Sequence, residues 1–71
     1  MAEEVRAPLA GTVQSVLVEA GAAVEADDEL AVLASGGAEH LIYAPCAGTV
    51  LAVRVAEKAA VAAGDVLLLI D

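Results

Sequence analysis

The sequence holds one histidine, one cysteine and one lysine, the side chains that most often serve as base, thiol nucleophile and acyl acceptor: His40, Cys46 and Lys58. A nucleophile needs a base within hydrogen-bonding reach, and no Ser-His-Asp set or Cys-His pair occurs at a suitable spacing. The pair Gly36-Gly37 is too short for a phosphate-binding glycine loop. The sequence therefore predicts no catalytic residue, and the chain is not expected to be an enzyme by itself.

Each of the three side chains also has a plainer interpretation. Lys58 is the only lysine that could take an acyl cofactor, and we predict a solvated side chain in a loop. Cys46 is predicted to be a partly buried small apolar residue, because no histidine or lysine lies beside it in sequence to activate its thiol. His40 is predicted to face solvent from a strand. One histidine and one cysteine do not supply a metal's ligands, so no metal site is expected.

Acidic residues dominate the charge of the chain. The formal net charge is -8, and the three basic residues, Arg6, Arg54 and Lys58, are scattered along the sequence. Proteins that bind nucleic acid or anionic lipid carry clusters of Lys and Arg, so neither is an expected partner.

Four carboxylates lie close together in one segment: Glu25, Asp27, Asp28 and Glu29. We interpret them as a solvated loop that keeps an apolar protein soluble. A cation site or a docking surface for a basic partner is the alternative interpretation.

The distribution of apolar residues bears on localisation. Although 61% of the residues are apolar, no uncharged apolar stretch approaches the ~20 residues of a membrane span. The segment "MAEEVRAP" is acidic and lacks a secretory apolar stretch. A lone cysteine is typical of a reducing compartment. We therefore expect a cytoplasmic protein that has no membrane partner.

An internal repeat organises the sequence. Residues 5–33 align without a gap with residues 42–70, and 14 of the 29 pairs are identical at an offset of 37. A unit of this size cannot enclose its own apolar face, so the two copies should cover each other about a pseudo-two-fold axis. The sequence predicts a single domain over residues 1–71.

Each copy carries the signals of short strands broken by turns. In "TVQSVLV" and "TVLAVRV" the first valine is one residue out of phase with the later ones, which predicts β-bulges near Gln14 and Leu51. The proline and glycine before each segment indicate a turn. The segments "ELAVLA" and "VLLLID" are apolar on both faces, as strands inside a sandwich are.

The connecting segments "EAGAAVEADD" and "AEKAAVAAGD" are too short for an alanine-driven helix, and we predict a loop with a very short strand in each. Gly64 before Asp65 favours a left-handed turn, and Asp27 can adopt the same conformation in the first copy. The predicted fold is all-β, with two small antiparallel sheets facing each other.

The two copies meet in a hairpin. Only "ASGGAEHL" separates Leu33 from Ile42, so one strand must turn directly into the next. Gly36-Gly37 suits a type I′ turn, which needs a positive φ at both central residues. Ser35 and Ala38 flank the pair, and residues 35–38 form the predicted exposed tip.

These residues form a pattern that is known elsewhere. Ala-Pro, Gly-x-Val, an acidic loop, an apolar strand, a hairpin and the same series again resemble the biotinyl/lipoyl attachment domains. More narrowly, residues 4–71 resemble the small biotin carboxyl carrier proteins of acyl-CoA carboxylases and decarboxylases. The resemblance implies a barrel-sandwich hybrid, a flattened β-barrel of two related halves, with a modified lysine on the hairpin tip.

The tip departs from the family's pattern. Biotinyl members read Ala-Met-Lys-Met there, with the lysine eight residues before the second Ala-Pro proline, and counting back from Pro45 reaches Gly37. Ser35, Gly36 and Ala38 occupy the other three positions. Attachment acylates a side-chain amine, which glycine and serine lack. We therefore expect no covalently bound cofactor at the tip, although biotin is the cofactor of the family that the chain resembles.

Four interpretations stay open. In the first, the chain is a carrier-type domain that lacks the modifiable lysine and acts as a docking or structural component beside carboxylase, carboxyltransferase or biotin ligase proteins. In the second, it is a biotin carrier by lineage with an altered or engineered tip. The third is a lipoyl-like efflux adaptor, whose half-motifs a long helical hairpin would separate. The fourth is a designed scaffold.

Overall fold

The computed structural model describes residues 2–71 and contains eight β-strands in two four-stranded sheets. The strands are β1 (Glu3–Arg6), β2 (Gly11–Val16), β3 (Ala23–Val24), β4 (Glu29–Ser35), β5 (Ala38–Tyr43), β6 (Gly48–Val53), β7 (Ala60–Val61) and β8 (Val66–Ile70). The sheet orders are β1-β8-β6-β3 and β5-β4-β2-β7, and all pairs are antiparallel. The predicted all-β architecture is confirmed. Across residues 2–71 no helix is long and apolar enough to span a membrane.

The two sheets are related by the repeat. Replacing each strand by its counterpart 37 residues away exchanges β1 with β5, β2 with β6, β3 with β7 and β4 with β8. The same exchange converts the order of one sheet into the order of the other. Each sheet therefore contains two strands from each copy, and neither copy forms a sheet by itself.

Aliphatic side chains fill the space between the sheets. Seven residues from both copies are almost fully buried: Val13, Leu30, Leu33, Val50, Leu67, Leu68 and Ile70. No polar or charged residue among residues 2–71 is buried. Burial of these apolar surfaces is the main force that holds the sheets together, because the interior contains no charge or polar network that could do so.

Both predicted bulges are present. The register of β2 against β4 shifts between Val13 and Ser15, and that of β6 against β8 shifts between Val50 and Ala52. The extra residue restores the alternation so that valines on both sides of the bulge face the core. The phase change in the valine pattern was therefore a structural signal.

The two acidic turns are also built alike. Asp27 has a φ of 71° and Gly64 a φ of 90°, which confirms the predicted left-handed conformations. In each turn the next residue is an aspartate whose Oδ2 accepts a hydrogen bond from the backbone N–H three residues earlier, at 2.8 Å. These aspartates, Asp28 and Asp65, are identical in the repeat because their carboxylates close the turn.

Each turn docks on the Ala-Pro motif of the other copy. The N–H of Ala7 donates to the carbonyl of Asp65, and the N–H of Gly64 donates to the carbonyl of Ala7, both at 2.8 Å. Ala44 makes the counterpart bonds with residues 27–28, at 2.9 and 2.8 Å. Ala7 and Ala44 are 3% and 2% exposed, so each alanine is enclosed by the turn that it binds.

The glycines after the Ala-Pro motifs serve a different purpose from the one that the sequence indicated. Gly11 and Gly48 are the first residues of β2 and β6 and do not lie in the turn. A Cβ on Gly11 would lie 2.5 Å from the carbonyl oxygen of Ala34, and one on Gly48 would lie closer still to that of Asp71. These glycines are needed because a neighbouring backbone segment, Ala34 of β4 or Asp71 just after β8, approaches them too closely for any side chain.

We expect Gly48→Ala to lower the free energy of unfolding by about 1–3 kcal/mol, because the new methyl group forces β6 away from the backbone of Asp71. Urea unfolding followed by far-ultraviolet circular dichroism measures the loss. Ala47→Ser, at the exposed neighbouring position, is the matched control and should change stability by no more than about 0.5 kcal/mol. Equal unfolding midpoints for the two variants would contradict the close-approach explanation.

Candidate functional site

The hairpin that joins the two copies ends in a two-residue turn. Gly36 and Gly37 connect β4 to β5, with Ser35 paired to Ala38 across the hairpin. Their φ values are 59° and 80°. A type I′ turn has positive φ at both central residues, and its twist matches that of the flanking strands. Glycine therefore adopts this turn without backbone strain.

The tip is open to solvent. Gly36, Gly37 and Ala38 are exposed, and Ser35 is half-buried. A Cβ built on either glycine would have no atom within 4 Å. A side chain at these positions would extend into water without displacing any neighbour. The tip thus has the geometry for presenting a long side chain, but the only side-chain polar group that it carries is the Ser35 hydroxyl.

Lys58 lies elsewhere in the fold. It is the third residue of a turn that Ala59 closes by donating its N–H to the carbonyl of Ala56, at 3.2 Å. This turn precedes β7, the strand at the opposite edge of the sheet from β5. Its side chain is exposed, as predicted.

The backbone of Lys58 is in the left-handed region, with a φ of 72°. In the first copy Gly21 takes this position, with a φ of 93°. The sequence analysis did not foresee this conformation, although the alignment of Lys58 with a glycine was the signal that could have revealed it. A lysine here carries a local strain that a glycine would not.

Cys46 and His40 lie on different elements. Cys46 is half-buried and packs against the core, as predicted. His40 is also half-buried, on the face of β5 that carries the buried Ile42. The expectation that His40 faces solvent was therefore wrong, because residues two apart on a strand share a face.

The acidic segment is exposed, and Asp28 is engaged in closing its own turn. Within residues 2–71, no three His, Cys, Asp or Glu side chains lie close enough together to hold a metal ion.

Comparison with known proteins points to one family. The profile of the biotin/lipoyl family, described as "Biotin-requiring enzyme", matches residues 3–70. No curated protein matches the sequence.

Solved structures extend the comparison. The chain is 38% identical over 96% of its length to part of a single-chain, multi-domain long-chain acyl-CoA carboxylase, with a TM-score of 0.89. All of it aligns with part of the Kluyveromyces lactis urea carboxylase, at 24% identity and a TM-score of 0.93. It spans only 7% and 6% of those two chains.

A third structure is a domain of similar size. The lipoyl domain of the 2-oxoglutarate dehydrogenase complex from Azotobacter vinelandii is 21% identical, with a TM-score of 0.76. The alignment covers 87% of this chain and 78% of that one. The likeness shows that the two four-stranded sheets are those of the lipoyl and biotinyl fold.

We expect Lys58→Gly to raise the free energy of unfolding by about 0.5–1 kcal/mol, since relief of the left-handed strain exceeds the added flexibility of the unfolded chain. Chemical denaturation monitored by circular dichroism provides the measurement. Glu57→Gly, one position earlier and without a positive φ, is the control and should lower stability. A loss of stability in Lys58→Gly would refute the strain at this turn.

Proposed function

The chain belongs to the biotin/lipoyl attachment family, and we propose that it is a biotinyl-type carrier domain without a modifiable lysine. On this proposal it serves as a non-catalytic docking or structural component of a biotin-dependent carboxylase- or decarboxylase-type complex. Domains of this family carry biotin or lipoate covalently and are typically not catalytic themselves. Its partners would be carboxylase, carboxyltransferase or biotin ligase components, in the cytoplasm.

The residues of the tip do not fit a covalently attached cofactor. Acylation by biotin or lipoate needs a side-chain amine, and residues 35–38 are Ser-Gly-Gly-Ala. We propose Gly37 as the position of the missing lysine, because it is exposed, lies in the turn and stands eight residues before Pro45. The single observation that carries the proposal is this tip, open for a side chain and yet without an amine.

The comparisons support a carboxylase context rather than a particular activity. The relative of higher identity is part of an acyl-CoA carboxylase, and a second match is part of a urea carboxylase. This chain corresponds to only 7% and 6% of those chains. We therefore infer the class of complex from them and not a particular reaction or substrate. A docking role requires the intact fold, and the turns, glycines and alanines that the fold needs are retained in both copies.

Rebuilding the tip tests the proposed attachment position. The variant Ser35→Ala/Gly36→Met/Gly37→Lys/Ala38→Met, incubated with biotin ligase, biotin and ATP, should gain one biotinyl group by intact-mass spectrometry. The unaltered chain should gain none, because its tip has no amine. Adding Lys58→Arg to the rebuilt variant is the control and should leave the gain unchanged. A folded rebuilt variant that stays unmodified would remove Gly37 as the attachment position.

The state of the natural chain tests the proposed function itself. Purified from its source cell, it should show no biotinyl mass and no signal on a streptavidin blot, and it should co-purify with a carboxylase, decarboxylase or ligase component. A biotin adduct on Lys58 would favour an active carrier instead. Repeated recovery of the chain alone would count against a docking role.

A further inference from the structure

The pseudo-symmetry of the fold exposes a difference between two matching strands. On β1 the exposed positions are held by Glu4 and Arg6, which form an ion pair at 2.5 Å. On β5 their counterparts 37 residues later are Leu41 and Tyr43, which are 41% and 50% exposed. Both strands are edge strands of their sheets. The same backbone position is thus charged in one copy and apolar in the other.

The apolar surface of β5 continues onto the neighbouring strand. Leu41 pairs with the half-buried Val32 of β4. We call Val32, Leu41 and Tyr43 the apolar face.

A groove of about 370 Å³ runs beside the apolar face, between the edge strands β1 and β5. Its apolar lining comes from both copies: Val5, Pro8, Leu41, Ile42, Tyr43 and Pro45. Within residues 2–71, β4 is the only strand paired with β5, so the other side of β5 has no strand beside it. Natural edge strands are usually protected by charges or prolines, and β1 is protected in this way by its ion pair.

Two exposed carboxylates flank the apolar face. Glu39 precedes Leu41 by two residues and shares its face of β5. Glu29 lies opposite Tyr43 on β4. Both carboxylates are exposed. Arg6 lines the groove, but its guanidinium donates to the Glu4 carboxylate and, at 2.7 Å, to the carbonyl of Gly64. The carboxylates at the two ends of the Leu41–Tyr43 pair therefore favour a cationic partner.

We propose that the open edge of β5 and the apolar face bind an extended segment of a partner protein whose apolar side chains are flanked by arginine or lysine. An extended segment fits because an unpaired edge strand can accept a further strand through backbone hydrogen bonds, while alternate side chains enter neighbouring apolar pockets. This inference rests on the proposed docking role and names the surface and the partner chemistry for it.

A second copy of the chain fits this surface less well. Each 71-residue chain carries a formal net charge of -8, so pairing the apolar faces of two chains would bring like charges together. Two half-exposed side chains, Leu41 and Tyr43, also fall well short of the ~800 Å² per partner that a stable interface buries. The surface is therefore suited to a transient contact with a basic segment of another protein.

Two short synthetic peptides of equal length test the proposal. Both alternate leucine with threonine, and one ends in arginines while the other ends in glutamates. Titrated into the isotope-labelled full chain and followed by nuclear magnetic resonance, the arginine peptide should shift the backbone amides of β5 and of Val32. The glutamate peptide should not. Equal binding of both peptides, or shifts confined to the acidic segment 25–29, would overturn the proposal.

The repeat supplies the matched variants. The double variant Leu41→Glu/Tyr43→Arg places on β5 the residues that β1 carries at the equivalent positions. It should lower the affinity for the arginine peptide at least about tenfold. Leu51→Gln transfers Gln14 to an equally exposed leucine of the other sheet and should leave binding unchanged. Unchanged binding in the double variant, with circular dichroism confirming its fold, would refute the surface.

The remaining outcomes separate the two proposals. If the chemical shifts of the β5 amides change with protein concentration in the absence of peptide, a second chain occupies the surface. That result would overturn the proposal of a basic segment from a partner protein. A biotin adduct on Lys58 would refute the proposed function without altering the peptide result. If the chain carries no biotin and the arginine peptide does not bind, only the proposed docking surface is refuted.

Discussion

The reciprocal exchange of backbone hydrogen bonds between the two copies is the constraint on which the rest of the fold depends. Val13 of the first copy accepts from Lys58 at 2.7 Å and donates to Ala59 at 2.8 Å, while Val50 of the second makes the same pair of bonds with Gly21 and Ala22. Buried backbone groups must find partners, and here each copy supplies those of the other. A core of aliphatic side chains without any aromatic ring is held in register by these bonds, because the aliphatic contacts alone have little directional preference.

Contacts between the copies and within their turns explain several of the residues that the copies share. Ala7 and Ala44 are small because a turn of the other copy encloses them, and Asp28 and Asp65 close those turns with their carboxylates. Gly11 and Gly48 lack a side chain because a backbone carbonyl group, that of Ala34 or Asp71, occupies the space. Identity in the repeat thus marks two kinds of position. Some are core residues such as Val13 and Val50, and others are residues that close a turn or meet a neighbouring backbone.

The sequence predicted what depends on local pattern. The bulges followed from a break in the alternation of valines, and the left-handed Asp27 and Gly64 followed from turn chemistry. The half-burial of His40 and the strain at Lys58 did not follow, because each depends on which neighbour the strand or turn meets. For the candidate site, the glycine tip was visible in the sequence. The apolar face was not, since it is assembled from residues whose exposure depends on strand pairing.

The repeat also serves as an internal comparison that separates structural from functional positions. Where the fold needs a close approach or a closed turn, as at Gly11 and Asp28, the two copies carry the same residue. A difference between the copies at an exposed position without such a contact is therefore not explained by the fold. Leu41 and Tyr43 in place of Glu4 and Arg6 are such a difference, and exposed apolar side chains favour association rather than solubility. The tip is an example of exposed residues that the fold does require. Gly36 and Gly37 give the turn the backbone conformation that it needs, whereas a lysine there would strain it by about 1–2 kcal/mol. The two glycines of this turn are therefore accounted for by backbone conformation alone, whereas the exposed Leu41 and Tyr43 are not.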